Sequence, residues 1–282
     1  MRKIRQGWEL TKKSWALLRE HKELFRFPVY GTLASLPPIA MVIAGIYFLD
    51  TKEYAPGAVL LVVGFYLATL IGLFFSVGLA ATADAIFHGR DATVGDGLAA
   101  ARARFGSIMG WAAVSTAIGL FVAAIQYFGD AAEAIITSIL NGAWELITFL
   151  AVPVIAFEGP GAFGTLKRSA SLFKERWGAQ VSGNVAIGGI VFLVGFLPAI
   201  ALIAVGVLLW INDGGGEEMA AGGVLVAIGL VVFLVSSFVV RTMRGVFGVA
   251  LYRYAANGET TAAFTEADLE SAVRTRGAPR TA

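Results

Sequence analysis

The sequence predicts an all-α protein, a polytopic six-transmembrane-helix bundle with three amphipathic interfacial helices on the cytoplasmic face. Three observations predict it. Of 282 residues, 57% are apolar and 15% charged, against about 45–50% and 25% in ordinary soluble domains, so most side chains have no water-facing role. Charged residues gather in short stretches between apolar runs of about 20 residues or more, enough to cross a hydrocarbon core of about 30 Å. Once those runs are threaded through a bilayer, the basic residues sort to one side.

Six apolar runs are legible, at 28–49, 57–86, 106–128, 134–157, 180–211 and 219–250. They define a membrane domain over 1–256 and leave a polar cytoplasmic tail at 257–282. The first run follows a segment, 1–26, with eight basic residues and no uninterrupted apolar core. It is therefore expected to remain in the mature chain rather than leave as a signal peptide. The second, fifth and sixth runs exceed one bilayer, so they tilt or continue as helix beyond it. Pro37, Pro38, Pro153 and Pro198 remove backbone donors and are expected to bend or end helix locally.

With the N-terminus inside, 21 of the 22 lysines and arginines fall on the inner side, and the outer loops keep only Lys52. Those loops carry Asp50, Glu53, Asp130, Glu133, Asp213, Glu217 and Glu218. An odd number of crossings would spoil the sorting, so both termini are expected in the cytoplasm. The basic residues then serve topology and attraction to anionic lipid, and nucleic acid is not an expected partner.

A weak repeat organises the inner face. Ile4, Trp8, Thr11, Trp15 and Leu18 recur at helical spacing before the first run. Val94, Leu98, Ala101, Phe105 and Ile108 do so before the third, and Leu166, Ala170, Phe173 and Trp177 before the fifth. Such helices lie in the headgroup layer or pack on the ends of the spans, and the same apolar face serves either. In the tail, Thr265 and Asp268 form a weak capping box for a short helix through Ala272.

Two acids stand out inside the apolar runs, because an ionised carboxylate at mid-bilayer costs about 2.5–3.5 kcal/mol. Glu145 shares a helix face with Ser138, Asn141 and Thr148, at spacings of three, four and three. That polar face belongs in the bundle or a wet cavity. Glu145 is either a proton or cation site in a permeation path or a protonated carboxyl bonded to a neighbouring helix. Asp84 ends a row in which Gly64, Ala68, Gly72, Ser76, Ala80, Asp84 and His88 fall four apart, the pattern of a close-packing ridge. Arg241 and Arg244 are the expected partners of Asp84 in a structural ion pair.

Enzyme chemistry lacks its residues. Cysteine is absent, excluding disulfides, thiolate metal sites and cysteine nucleophiles. Asp96, Gly97 and Arg102 approach the aspartate-rich signature of phospho-alcohol transfer between lipids, but the spacing is one residue too long and no further aspartates follow. Ser76 and His88 stand about 18 Å apart on one helix, too far for a hydrolase pair, and His21 is the only other histidine. No cofactor and no metal site is expected.

The stretch from Trp144 to Gly178, with Pro153-Val154, Glu158-Gly159, Lys167-Arg168-Ser169 and Trp177-Gly178, resembles an uncharacterised prokaryotic family of six-span integral membrane proteins. Gly7-Trp8, Ser14-Trp15 and Leu24 to Pro28 resemble that family's opening. More loosely, the arrangement is similar to the membrane domain of some glycerophosphodiesterases. The resemblance implies a prokaryotic cytoplasmic membrane location and assigns no activity. The expected function is a non-enzymatic transporter or channel built around Glu145. The alternative is a scaffold or accessory subunit whose small-residue seams dock a membrane protein partner or a second copy.

Overall fold

The computed structural model describes residues 13–128, 144, 148–177, 195–211, 216–261, 263–266 and 269, most of them helical. Among these there is no strand, only an isolated bridge between Thr261 and Phe264. In chain order the helices are α1 (13–20), a 3-10 turn at Lys22–Phe25, α2 (Arg26–Ala34), α3 (Leu36–Asp50), α4 (Tyr54–Phe87), α5 (Val94–Ala103) and α6 (Phe105–Phe128). Then come α7 (Ala151–Phe157), α8 (Ala162–Trp177), α9 (Leu197–Ile211) and α10 (Gly216–Asn257).

Among the described residues, four stretches are long and apolar enough to cross a membrane: Lys22–Asp50, Tyr54–Phe87, Phe105–Ile125 and Met219–Asn257. Leu197–Ile211 is apolar but shorter. The runs expected at 134–157 and 180–211 lie partly outside the described residues, which take in 144 and 148–157 of one and 195–211 of the other.

The first of the four stretches bends where its prolines fall. Pro37 and Pro38 open α3 and have no N–H to give back to the preceding turn. The chain accommodates this at Ser35, whose Oγ donates to the Gly31 carbonyl at 2.7 Å. Helix resumes when the Ile39 N–H donates to the Ser35 carbonyl at 3.0 Å. Pro153 produces a similar break at Leu150, ahead of α7.

Two helical hairpins are joined at glycines. In α3 against α4, a Cβ on Gly45 would lie 2.7 Å from the Leu61 nitrogen, and one on Gly64 2.8 Å from the Pro38 carbonyl. In α9 against α10, a Cβ on Gly206 would lie 2.7 Å from the Gly222 carbonyl. The backbones touch because side chains are absent there.

The buried core gathers at one end of the long helices. By helical rise α4 is about 50 Å long and α10 about 63 Å, well beyond a hydrocarbon layer of about 30 Å. The portion from Leu79 to Asp84 of α4 packs against Met243 to Tyr254 of α10, with Leu18, Leu24, Phe27, Leu150 and Leu172 around them. A second cluster holds Val77, Ile108 and Trp111, with Trp144 stacked on Trp111 at 5.6 Å between ring centroids. Toward the opposite end apolar side chains face outward, among them Ile43 at 63% and Val231 at 59% exposure. An apolar exterior over so much helix is suited to lipid rather than water.

The connecting helices pack on this core with partly different faces from those expected. Leu18 of α1 and Ala101 of α5 are buried as the periodicity predicts, whereas Trp15 is 43% exposed. In α8 the buried residues are Thr165, Ser169, Leu172 and Phe173. That stripe is rotated from Leu166, Ala170 and Phe173 because two hydroxyl residues turn inward. Ile4, Trp8 and Thr11 lie outside the described residues, as does most of the short helix expected in the tail.

Candidate functional site

The packed end is held by a knot of charges. Asp84, three residues before the end of α4, is 5% exposed. Arg253 on α10 donates to both of its oxygens, Nε to Oδ1 and Nη2 to Oδ2, each at 2.7 Å. The same guanidinium lies 4.9 Å over the Phe157 ring. His88 caps the cluster, its Nδ1 2.7 Å from the Asp84 carbonyl and 3.7 Å from Oδ1. The expected partnership with Arg241 and Arg244 is corrected: the carboxylate is held by Arg253. The reason is depth. Asp84 and Arg253 both lie near the ends of their helices, whereas Arg244 is nine residues earlier in α10, about 13 Å along the axis.

The turn after α7 completes the knot. Glu158 accepts from the Tyr252 hydroxyl at 2.8 Å and from Arg168 Nε of α8 at 2.8 Å. Gly159 has φ +64, a left-handed conformation that favours glycine. Arg104 Nη2 donates to the Phe157 carbonyl at 3.1 Å, and Ser107 Oγ to the Gly159 carbonyl at 2.8 Å. One turn thus ties α6, α7, α8 and α10 together.

The aspartate that approached an enzyme signature caps a helix instead. Thr93 gives both its backbone N–H, at 2.8 Å, and its hydroxyl, at 2.7 Å, to Asp96 Oδ2, while the Asp96 N–H donates back to Thr93 Oγ1 at 3.3 Å. The backbone bond and then the hydroxyl bond hold this carboxyl below its ordinary 3.8. Since the folded pKa is the lower one, the stabilisation is present above the unfolded pKa and fades as pH falls through the folded value. A carbon-detected titration of the Asp96 carboxyl should give a midpoint under 3.8, and a midpoint at or above it would show that the box is not formed.

Beside the knot lies an open cavity of about 500 Å³ lined by α2, α3, α4, residues 148–153 and α10. Its polar lining includes Arg241, Arg244, Ser76 and Thr148. Phe27, Phe75 and Phe149 supply much of its apolar wall. The row of small residues on α4 has two uses here. Gly64 packs against α3, whereas Ala68, Gly72 and Ser76 face the cavity, and a Cβ on Gly72 would meet nothing within 4 Å. The expected packing ridge is in its middle a way of leaving space. Arg241 follows directly on the apolar stretch that runs from Met219 to Val240, so the cations sit where that stretch stops.

Of the polar face expected around Glu145, Thr148 is described and lines the cavity, its hydroxyl donating to the Trp144 carbonyl at 2.7 Å. Ser138, Asn141 and Glu145 lie outside the described residues. Periodicity within one segment did not reveal Arg253 as the partner of Asp84. The usable signal was that a buried acid needs a cation at equal depth on another helix.

Long apolar helices, an apolar exterior and polar groups gathered at one end define the class as a membrane-embedded helical protein. The chain belongs to a family of unknown function, DUF6159, which matches residues 56–262. The match contains Asp84, Glu158, Arg241, Arg244 and Arg253. It begins after Gly7-Trp8, Ser14-Trp15 and Leu24 to Pro28. No curated protein and no solved structure matches the chain.

Proposed function

We propose that this protein is a non-enzymatic, multi-pass membrane protein of the transporter or channel class that admits an anion from the cytoplasmic side into the arginine-lined cavity. The observation that carries the reading is the pair of guanidinium groups, Arg241 and Arg244, that line the cavity together with Ser76 and Thr148. Guanidinium groups stay charged at any physiological pH and match oxyanions through paired donors. Thr148 at the cavity is also the first member of the Thr148, Glu145, Asn141, Ser138 series, so a protonatable carboxyl stands three residues from the cavity wall in sequence. The sorting of basic residues supports placing both termini, and the cavity, on the cytoplasmic side. A scaffold that docks partners through small-residue seams is less favoured, because the seams at Gly45, Gly64 and Gly206 are occupied within the chain's own hairpins.

Reconstitution into proteoliposomes tests this. Anion flux should exceed that of empty liposomes, fall about tenfold or more in the Arg241→Gln, Arg244→Gln double variant, and lose any coupling to a pH gradient in Glu145→Gln. Wild-type flux equal to that of empty liposomes for both inorganic and amphiphilic anions would remove the proposal.

A further inference from the structure

The outward face of α8 carries an aromatic where water alone would favour a polar residue. The helix buries Thr165, Ser169 and Leu172 against the bundle. At 100° per residue, Phe163, Lys167 and Lys174 fall within about 40° of one another on the opposite side. Both lysines are exposed, and Phe163, at 79%, is the most exposed large apolar side chain among the described residues. Neighbouring charges are engaged elsewhere: Arg168 holds Glu158, and Glu175, about 100° round from Lys174, accepts from the Ser171 hydroxyl.

Depth explains the combination. The span that begins at Phe105 is long and apolar enough to cross a membrane, and the turn into α8 descends alongside it. The Gly159 carbonyl accepts from Ser107, and a Cβ on Gly110 would lie 3.5 Å from the Ala162 Cβ. Gly110 is five residues into the span, about 7.5 Å by helical rise. Phe163, next to Ala162, therefore sits where headgroups give way to acyl chains, and Phe105 and Met109 of α6 are exposed in the same part of that span. Lys167 and Lys174 follow one and three turns later on the same stripe. A ring at the acyl boundary with ammonium groups beyond it suits a headgroup layer rather than open water.

We infer that this face of α8 binds anionic phospholipid, with Phe163 among the acyl chains and Lys167 and Lys174 against the charged headgroups. Compact ammonium groups on flexible stems attract an anionic headgroup without requiring a paired geometry, and basic residues beside a span add their attractions to an anionic leaflet. Such binding depends on the membrane setting of α6 and not on what enters the cavity, so either can fail without the other.

The chain has no cysteine, so Phe163→Cys accepts a single fluorophore whose apolar body stands in for the ring. The labelled full chain is placed in vesicles of equal parts phosphatidylglycerol and phosphatidylcholine, with an acyl-chain nitroxide quencher on one lipid or the other. Quenching should be several-fold stronger with the nitroxide on phosphatidylglycerol, and stronger at 163 than with the label at Glu175→Cys. Lys167→Gln, Lys174→Gln should equalise the two lipids, whereas Lys167→Arg, Lys174→Arg keeps the preference. Salt at about 1 M, where the Debye length is about 3 Å, should remove most of it. Equal quenching by the two lipids in the parent, or a preference that survives the glutamine changes, overturns the inference. Quenching no stronger at 163 than at 175 places the face in water and overturns it too. Quenching by neither lipid, with energy transfer between labelled chains, gives the face to a second copy and likewise overturns it.

Discussion

Asp84→Asn is expected to destabilise the protein by about 3 kcal/mol or more, because removing one member of a buried ion pair strands the other. Arg253 gives two hydrogen bonds to Asp84 and is 21% exposed, so water replaces little of what the carboxylate supplied. The asparagine can accept one of those bonds but cannot balance the charge, and its amide turns a donor toward a donor. Thermal unfolding in a mild detergent should show a drop of several degrees. The double variant Asp84→Leu, Arg253→Met should recover most of it, since replacing both charges with apolar side chains is often neutral. If Asp84→Asn melts with the parent, the pair does not fasten α4 to α10. If the double variant is as weak as the single one, packing rather than charge is at fault.

Gly97→Ala should be comparably damaging, about 3 kcal/mol, the upper part of the usual cost of overpacking. A Cβ at Gly97 would meet Thr82 Oγ1 and lie 2.6 Å from the Gly78 carbonyl and 2.7 Å from Phe27 Cζ. The carbonyl belongs to the α4 backbone and cannot swing aside, so α5 must lift from α4. The control stands two residues away. A Cβ on Gly95 would meet only Thr93 Oγ1, at 3.4 Å, and Gly95→Ala should gain about 0.5–1 kcal/mol from helix propensity. Opposite signs in parallel melts are the expected result, and a loss in both variants would indicate that α5 tolerates no alanine for reasons unrelated to contact with α4.

Those two glycines also show what the sequence could convey about the fold and what it could not. Gly95 and Gly97 look alike in the chain, and only the presence of α4 beside one of them tells them apart. Run boundaries were legible, because polar residues bracket them: 57–86 became Tyr54–Phe87, and 106–128 became Phe105–Phe128. The sixth apolar run spans 219–250, but its helix is Gly216–Asn257. Hydropathy registers how oily a residue is and not what covers it, so Leu251, Tyr252 and Tyr254, buried by protein, fell past the inferred end. Arg253 was thereby placed outside the helix, and Arg241 and Arg244 inherited its role. At the candidate site, Thr148 was anticipated as one edge of a polar face, whereas the arginine-lined space was not. A row of small residues reads the same whether another helix or an empty volume lies against it, as Gly64 and Gly72 demonstrate.

Tyr252 and Arg253 are neighbours in sequence, yet one is fastened to Glu158 on the turn and the other to Asp84 on α4. Adjacent residues on a helix project about 100° apart, so the two fastenings fix the azimuth of α10 as a keyway fixes a shaft, and they also stop it from sliding. The indexing is felt at a distance, because Arg241 lies eleven residues from Tyr252, about 16 Å along the axis. Where the cavity's two cations aim is therefore decided outside the cavity, by a phenol and a guanidinium that never touch it.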